Sequence, residues 1–236
     1  MNVEKRLIYP VGTTDAIRFA AKHLGLPLVD HPTPDATHLL LDVPLRQTDV
    51  ENILAMLPPK ITVIGGNLNI PSLEGYPKID LLTDPEYLAR NADITAHCAV
   101  KLALPYLDVT LEGCPILILG WGRIGKCLAS LLKKMGAAVT VAARKEADRG
   151  MLKALGYHAA EYGRLSKILH GFRLIYNTVP AKILSESTTF STECVKIELA
   201  SLPGLPGVVI DGRGLPGRLA PESSGKLIAE TILRRI

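Results

Sequence analysis

The stretch that decides the fold runs from Pro115 to Gly125 and reads Pro-Ile-Leu-Ile-Leu-Gly-Trp-Gly-Arg-Ile-Gly. Its first five residues form a continuous apolar run, which is typical of a parallel strand buried on both faces. The run Gly120–Gly125 follows in the pattern G-x-G-x-x-G, and apolar residues then recur at helical spacing from Leu128 to Met135. This context of strand, glycine turn and helix is the one in which the pattern predicts a dinucleotide-binding site.

Each glycine of this turn has a steric role in such a site. Gly120 permits the tight turn, Gly122 lets the backbone approach a pyrophosphate, and Gly125 lets the helix pack closely on the strand. The free N–H groups and the dipole at the start of the helix favour the same anion. A glycine-rich turn that holds no ligand is the alternative. We predict cofactor contacts along the whole turn, including the three residues between the glycines, Trp121 (as a cover over the pyrophosphate or as packing), Arg123 and Ile124.

The end of the next strand decides which dinucleotide is bound. The strand Ala138–Ala142 leads into Ala143-Arg144-Lys145, with two cations where an NAD site usually has an acid. A guanidinium pairs with a phosphate in bidentate fashion, so Arg144 suits the 2′-phosphate of NADP. Glu146 is predicted to belong to the first turn of the following helix. We predict NADP as the cofactor, with NAD, or a solvated basic turn, as the alternatives.

The rest of the chain alternates strands and helices. This predicts an α/β protein of two Rossmann-like lobes, the second of them a doubly wound parallel sheet that binds the dinucleotide. We expect a small flavodoxin-like domain over residues 1–90, an NAD(P)-binding domain with its linking helix over 91–220, and a C-terminal helix over 221–236 that packs back toward the first lobe. The second lobe is predicted to have strands at 116–119, 139–142, 158–160, 174–177, 195–199 and 208–210, and helices at 124–135, 146–155 and 165–169.

In the first lobe, apolar runs predict strands at 6–9, 28–29, 38–41, 61–64 and 79–82, and apolar periodicity predicts helices at 16–24 and 48–57. Asp84-Pro85-Glu86 is a helix start, because an N-cap residue precedes proline and an acid. Asn91-Ala92-Asp93 is expected to break that helix, and a second one is expected over 95–107. Proline and glycine concentrate at 202–221, which predicts an irregular loop.

Composition narrows the functional classes. The chain has 236 residues, of which 47% are hydrophobic, so there is enough apolar material for a core. The net charge of +4 is mild and aromatic residues make up only 5%, which argues against nucleic-acid binding. The sequence has no run of about 18 apolar residues, so no membrane-spanning helix is predicted. The charged N-terminus does not resemble a signal peptide. Four scattered cysteines without a C-x-x-C pattern indicate a reducing, cytoplasmic location, and no metal site is expected.

Two further strand ends are predicted to line the cofactor site. Ligands of open α/β sheets bind at the carboxyl ends of the strands. We expect amide and backbone contacts from the turn after the strand 174–177, and a close approach of the nicotinamide to small residues after the strand 195–199. The residues concerned are Asn177, Thr178, Val179 and Pro180 in the first turn and Ala200 and Ser201 in the second.

The candidate substrate residues lie near two helix starts. His97 has a side chain that titrates near neutrality and can exchange the proton that accompanies hydride transfer, with a purely structural role as the alternative. Thr95 either contacts the substrate or caps the helix. Ser223 and Ser224 open the last helix, where N–H groups suit a carboxylate, and a plain N-cap is the alternative.

Three later segments carry a family resemblance. They are Asn177–Pro180, Leu199–Gly204, and the segment Gly214–Gly225 with its Gly-Leu-Pro-Gly, Ala-Pro and Gly. Together with Gly120–Gly125 and Ala143-Arg144, they resemble the A subunits of dipicolinate synthase, a family related to the D-2-hydroxyacid dehydrogenases. The resemblance covers about residues 91–236 and is most specific in the Gly214–Gly225 segment.

The resemblance implies an NADP-linked oxidation of a dihydrodipicolinate-type dicarboxylate to dipicolinate in bacterial sporulation, and its implied partner is a flavoprotein-like B subunit. The sequence departs from the family pattern at Leu202, which replaces an arginine, and at His97 and Cys98, which replace a glutamate and a glycine. The substrate carboxylates then need other cations. We predict His97, Arg213 and Ser201 as catalytic residues and Thr95, Arg213, Gly214, Ser223 and Ser224 as substrate-binding residues. Arg213, Arg218 or Lys182 could replace the missing cation.

Two other functions stay open on the sequence alone. One is an NAD(P)-dependent dehydrogenase of another small carboxylic acid, similar to the 2-hydroxyacid dehydrogenases. The other is a nucleotide-binding partner subunit without catalysis of its own, which the leucine at position 202 favours. A homo-oligomer is compatible with either function.

Overall fold

The structure is a computed structural model, and it describes residues 7–27, 35–45 and 60–236. The chain forms two compact units. The first contains residues up to Asn91 together with 216–236, and the second contains Ala92–Leu215. Each unit has one sheet, and every strand pair in both sheets is parallel. The predicted α/β class is therefore confirmed.

The first unit has four described strands in the order β1-β2-β3-β4. One face of the sheet packs on a core of Leu39, Leu41, Ile61, Val63 and Leu73. The strands are β1 (Ile8–Pro10), β2 (His38–Leu40), β3 (Thr62–Gly65) and β4 (Lys78–Asp80), and helix α1 covers Asp15–Leu24. The strand expected at 28–29 and the helix expected at 48–57 lie outside the described residues.

The last helix, α6 (Pro221–Arg235), belongs to the first unit and packs on α1. Gly225 sits where the two helices come closest, because a Cβ at this position would lie 2.5 Å from the carbonyl oxygen of Ala16 and 2.5 Å from Cβ of Phe19. Leu227, Ile228 and Ile232 are buried along the same helix. The helix therefore contributes directly to the core of this unit.

The second unit has six strands in the order β10-β9-β8-β5-β6-β7. Numbered within the unit, this is the 3-2-1-4-5-6 order of the dinucleotide-binding fold, with β5 as its first strand. Both faces are buried, because Ile116, Leu117, Ile118 and Leu119 are all inaccessible to solvent. The strands are β5 (Pro115–Leu119), β6 (Ala138–Ala142), β7 (His158–Ala160), β8 (Leu174–Asn177), β9 (Val195–Glu198) and β10 (Ile210–Asp211).

The linking helix α2 (Pro85–Ala103) is continuous, so the predicted break at Asn91-Ala92-Asp93 and the separate helix over 95–107 are wrong. Asp84 caps its start by accepting a hydrogen bond from the Tyr87 N–H. Farther along, the hydroxyl of Tyr176 donates to the carbonyl of Ala99. An asparagine or aspartate in a helix interior costs less than about 1 kcal/mol, and packing along the buried side of α2 offsets that cost.

The remaining elements of the second unit follow the prediction with local differences. Helix α3 covers Arg123–Lys134 and α4 covers Glu146–Ala154, each within one residue of expectation. The predicted helix at 165–169 is instead two 3₁₀ segments, Tyr162–Lys167 and Leu169–Gly171. The region 202–221, predicted to be an irregular loop, contains the short helix α5 (Leu215–Leu219).

Candidate dinucleotide site

The glycine turn lies where the order of the second sheet reverses. Leu119, the last residue of β5, pairs with Ala142 of β6 on one side and with Asn177 of β8 on the other. The Gly120 N–H donates to the Ala142 carbonyl at 2.9 Å, and the Thr178 N–H donates to the Leu119 carbonyl at 2.9 Å. Ligands of doubly wound sheets bind at this kind of switch point, outside the carboxyl ends of the strands.

The three glycines differ in what surrounds them. Gly120 has a φ of +108°, and a Cβ there would lie 2.5 Å from the hydroxyl oxygen of Thr178. A Cβ at Gly125 would collide with the carbonyl oxygen of Gly120. Gly122 has an ordinary φ of −82°, and no atom lies within 4 Å of where its Cβ would be. The protein itself therefore requires glycine at 120 and 125, whereas the free space at 122 fits an approaching pyrophosphate.

Trp121 is half-buried and packs against neighbouring side chains. Its ring meets that of Tyr157 edge-on, with centroids 5.9 Å apart, and the Lys126 ammonium lies 5.8 Å from its centroid. Of the other residues in the turn, Arg123 is exposed and Ile124 is half-buried. The indole thus packs against protein, which is one of the two roles that the sequence allowed.

The end of β6 presents two exposed cations. Ala143 is buried, and Arg144 and Lys145 are exposed. The Arg149 guanidinium fixes the turn by donating to the carbonyl oxygens of Ala143 at 3.0 Å and Arg144 at 2.7 Å. Among the described residues, no carboxylate lies within ion-pair distance of Arg144 or Lys145. Glu146 begins α4, as predicted, so the strand end carries positive charge suited to a phosphate.

The turn after β8 uses its side chains internally. The Asn177 side chain is fully buried, donates from Nδ2 to the Val179 carbonyl at 3.0 Å, and accepts from the Val179 N–H at 3.0 Å. The Thr178 hydroxyl donates to the Leu119 carbonyl at 2.8 Å. The Asn177 amide therefore shapes the turn, in which Thr178 and Val179 are half-buried and Pro180 is exposed.

Glu198, at the end of β9, was not predicted as a site residue from the sequence. Its side chain is only 4% exposed, and its carboxylate accepts from Asn177 Nδ2 and from the N–H groups of Ala200, Gly204 and Leu205. The available signal was a charged residue in an otherwise buried strand, directly before Leu199-Ala200. Ala200 is buried and Ser201 is exposed beside it.

Arg213 lies after β10 and is already paired. Its Nε and Nη2 donate to the two carboxylate oxygens of Asp211 at 2.8 and 2.9 Å, and this hydrogen-bonded carboxylate raises the pKa of the guanidinium. Both residues line a cavity of about 250 Å³ that also includes Glu198 and Leu205. Gly214 follows with a φ of +65°. A substrate carboxylate at Arg213 would therefore compete with Asp211.

The other predicted substrate residues are divided between the units. Thr95 is buried and His97 is exposed on the part of α2 that belongs to the second unit. Ser223 is exposed and Ser224 is buried on α6 in the first unit. Of the other two candidates for the missing cation, Lys182 pairs with Glu186 at 3.2 Å and Arg218 is exposed. Leu202, which stands where the cation was expected, is 61% exposed.

A larger cavity, of about 690 Å³, lies at the amino ends of β8 and β9, near Arg173 and Val195. It is at the opposite edge of the sheet from the glycine turn and does not belong to the candidate site. Within residues 7–27, 35–45 and 60–236, no cluster of three or more side chains suits a metal ion. In the same ranges, no helix combines the length and apolarity that a bilayer crossing requires.

Comparison with known proteins supports the resemblance drawn from the motifs, although no family model matches the chain. The chain is 27% identical over 153 residues to the A subunit of dipicolinate synthase from Bacillus subtilis (strain 168), a match that covers 60% of this chain. The chain thus resembles the A subunits of dipicolinate synthase. The match covers 52% of that curated relative, so it spans about half of the relative's length.

Solved structures show the same fold over longer ranges. The A chain of dipicolinate synthase from Bacillus subtilis superposes with a TM-score of 0.82 at 18% identity, covering 100% of this chain and 96% of that one. An L-alanine dehydrogenase superposes with a TM-score of 0.67 at 12% identity, covering 89% and 73% of the two chains. These likenesses confirm the predicted α/β fold.

Proposed function

We propose that the protein is an NADP-dependent oxidoreductase that oxidises a dihydrodipicolinate-type ring to dipicolinate. The observation that carries the proposal is the free space at Gly122, at the switch point of a sheet with the dinucleotide-binding strand order. The sequence similarity to the A subunit of dipicolinate synthase supports the choice of substrate. The cationic end of β6 supports NADP over NAD.

Each part of the proposed site has its own task. The turn Gly120–Gly125 and the start of α3 bind the pyrophosphate, and Arg144 with Lys145 binds the 2′-phosphate. Ala200 and Ser201 would hold the nicotinamide of a bound NADP, and that cofactor would supply the hydride acceptor for the oxidation. His97 takes the proton that the ring loses in the same oxidation, so a hydride and a proton together account for the two hydrogens removed.

The substrate carboxylates need cations and N–H donors. Within the second unit, Arg213 and Gly214 supply them after β10, and Thr95 supplies a hydroxyl group from α2. We further propose a cytoplasmic protein that works with a flavoprotein-like B subunit in sporulation, a role that the similarity to the A subunit of a synthase suggests.

Two observations favour other candidates. The L-alanine dehydrogenase likeness supports a dehydrogenase of another small carboxylic acid. The 61% exposed Leu202 stands where the resemblance leads us to expect arginine, and it favours a nucleotide-binding partner subunit without turnover of its own. Activity measured on a panel of substrates with NAD and with NADP separates the other dehydrogenase from the proposal. The partner subunit without catalysis would be established if the protein bound NADP stoichiometrically but showed no turnover when a B subunit was present.

The test uses Gly122→Val. Its φ is ordinary and its surroundings are open, so valine is expected to fit and to block the pyrophosphate, with a loss of about 1 kcal/mol or less in stability from the changed N-cap of α3. We expect NADPH affinity to fall by about 10-fold or more, equivalent to about 1.4 kcal/mol. Trp121 is the one tryptophan of the chain and lies in the turn itself, so energy transfer from it to NADPH measures binding directly.

Gly171→Val is the matched control, because Gly171 is also exposed and surrounded by open space, but it lies in a 3₁₀ segment away from the turn. It should bind NADPH like the wild type. Co-expression with a candidate B subunit then tests dipicolinate formation, which Gly122→Val should reduce. Equal NADPH affinity in Gly122→Val and the wild type would contradict the proposed cofactor site.

A further inference from the structure

The carboxylate of Glu198 joins the turns that follow two neighbouring strands. It accepts from Asn177 Nδ2 at 2.9 and 3.1 Å, which ties it to the turn after β8. It also accepts from the N–H groups of Ala200 at 3.0 Å, Gly204 at 2.8 Å and Leu205 at 3.3 Å, which ties it to the loop after its own strand. Every one of these partners is a donor.

The two turns are also packed against each other at Gly204. A Cβ at this position would lie 2.5 Å from the carbonyl oxygen of Ala181 and 2.7 Å from Asn177 Nδ2. The turn after β8 is also hydrogen-bonded to the end of β5, because the Thr178 hydroxyl donates to the Leu119 carbonyl. The loop that carries Ala200 and Ser201 therefore takes its position from the strand ends through Glu198.

A buried carboxylate is a costly way to stabilise a protein core. Removing a charge from water costs several kcal/mol, and well-packed apolar residues often stabilise a core equally well. A carboxylate does supply two oxygens that accept from several donors at once, which neither an amide nor an apolar side chain can do. The burial of Glu198 is thus explained by the geometry that it imposes on the two turns.

We propose that Glu198 is a positioning residue for the nicotinamide half of the dinucleotide site, acting through Asn177 and the loop of residues 200–205. This inference rests on the proposed function. The half that binds the adenosine phosphates, at Gly120–Gly125 and Arg144, has no hydrogen bond to Glu198 among the described contacts. Substitution of Glu198 should therefore weaken binding of the nicotinamide half of the cofactor more than binding of the half that carries the adenosine phosphates.

The experiment compares Glu198→Gln with Glu193→Gln, a substitution at an exposed carboxylate that lies just before the other end of β9 and pairs with Arg173. Affinities for NADPH and for 2′,5′-ADP, which lacks the nicotinamide, are measured on each full-length protein. In Glu198→Gln the new amide N–H₂ faces N–H donors, so NADPH should bind about 10-fold more weakly, and 2′,5′-ADP should change by less than about 2-fold. Glu193→Gln should leave both affinities unchanged.

Amide hydrogen exchange supplies a readout that needs no ligand. Exchange should accelerate in residues 178–181 and 200–205 of Glu198→Gln, with 120–128 unaffected. An equal loss of affinity for NADPH and for 2′,5′-ADP would overturn the positioning role. Unchanged amide exchange in the two turns would overturn it as well. If Glu198→Gln does not fold, Glu198→Asp decides, because its carboxylate is too short to reach both turns and wild-type NADPH affinity would then refute the inference.

A failure of the proposed function would give different results from a failure of the positioning role. A wild-type protein that binds neither NADPH nor 2′,5′-ADP would contradict the cofactor assignment as a whole. Hydrogen exchange in the two turns would still decide whether Glu198 couples them, and unchanged exchange would refute that coupling.

Discussion

Arg144 is the residue on which the choice of cofactor depends. It is exposed at the end of β6, and its backbone carbonyl is fixed by Arg149 at 2.7 Å. A charge-assisted hydrogen bond to a phosphate contributes about 1.5–3 kcal/mol, so Arg144→Ala should weaken NADPH binding by about 10-fold or more and leave NADH nearly unchanged. Titration of both nucleotides by energy transfer from Trp121 checks this prediction.

Lys153→Ala is the matched control for Arg144→Ala, because it removes a cation from the last turn of α4, at the other end of that helix. Its NADPH and NADH affinities should equal those of the wild type. If Arg144→Ala weakened the binding of NADH as much as the binding of NADPH, the assignment of Arg144 to the 2′-phosphate would be wrong. Arg144 would then contact a part that the two nucleotides share.

Residues with local roles were predictable from the sequence, and those with distant partners were not. The roles of Gly120 and Gly125 follow from one short turn of consecutive residues, and the structure shows the expected close approaches. The cofactor contact of Asn177 stays a prediction, whereas the hydrogen bond from its amide to Glu198, 21 residues away in the chain, was not expected. Sequence spacing carries no information about that pairing, which exists only because β8 and β9 are neighbours in the sheet.

At the scale of elements, apolar runs predicted five of the six strands of the second unit to within one residue at each end, whereas β10 begins at Ile210, two residues later than predicted. The α2 helix did not follow its prediction, because propensity favoured a break at Asn91-Ala92-Asp93. Propensity differences there amount to less than about 1 kcal/mol, whereas Ala92, Ala96 and Ala99 are all buried along the side on which the helix packs. Tertiary packing therefore decided the length of the helix.

The contact between α1 and α6 gives a prediction at the same scale. Gly225→Ala places a methyl group 2.5 Å from the Ala16 carbonyl oxygen and 2.7 Å from the Ala20 nitrogen, so the two helices must separate. Overpacking of this kind costs about 1–3 kcal/mol, and urea denaturation should show a lower midpoint. Gly217→Ala, at an exposed position with open space around it, is the control and should unfold like the wild type.

An unchanged urea midpoint for Gly225→Ala would mean that the helices can move apart without cost, and that the close approach at this glycine contributes nothing to stability. A loss in the Gly217→Ala control as large as that in Gly225→Ala would instead trace the effect to the glycine-to-alanine change itself.

At the scale of the whole molecule, the chain leaves its first unit through α2 and returns to it with α6. Asp84 joins these two passages: its carboxylate accepts from Arg234 at 2.8 Å, across 150 positions of sequence, and Arg235 lies 3.8 Å away. The sequence predicted Asp84 only as a helix cap, since its second partner is at the far end of the chain. One carboxylate thus caps α2 and holds the C-terminal helix.

This junction predicts how stability depends on pH. The hydrogen bond from Arg234, followed by that from the Tyr87 N–H, lowers the pKa of Asp84 in the folded protein, whereas the unfolded value is about 3.9. The stabilisation is therefore present above about pH 4 and is lost as the pH falls through the lower folded value. Asp84→Asn keeps the cap acceptor but removes the charge, so its thermal midpoint should lie a few degrees below that of the wild type at pH 7.

The gap between the wild type and Asp84→Asn should stay constant from pH 7 to about pH 5 and close below about pH 4, because the wild-type carboxyl then also becomes neutral. Glu74→Gln, which neutralises an exposed carboxylate in the same unit, should show no gap at any pH. Thermal melts in a pH series provide the measurement. A gap that persisted unchanged to pH 2 would show that the asparagine disturbs packing, and that the ionised Asp84 does not hold the returning helix.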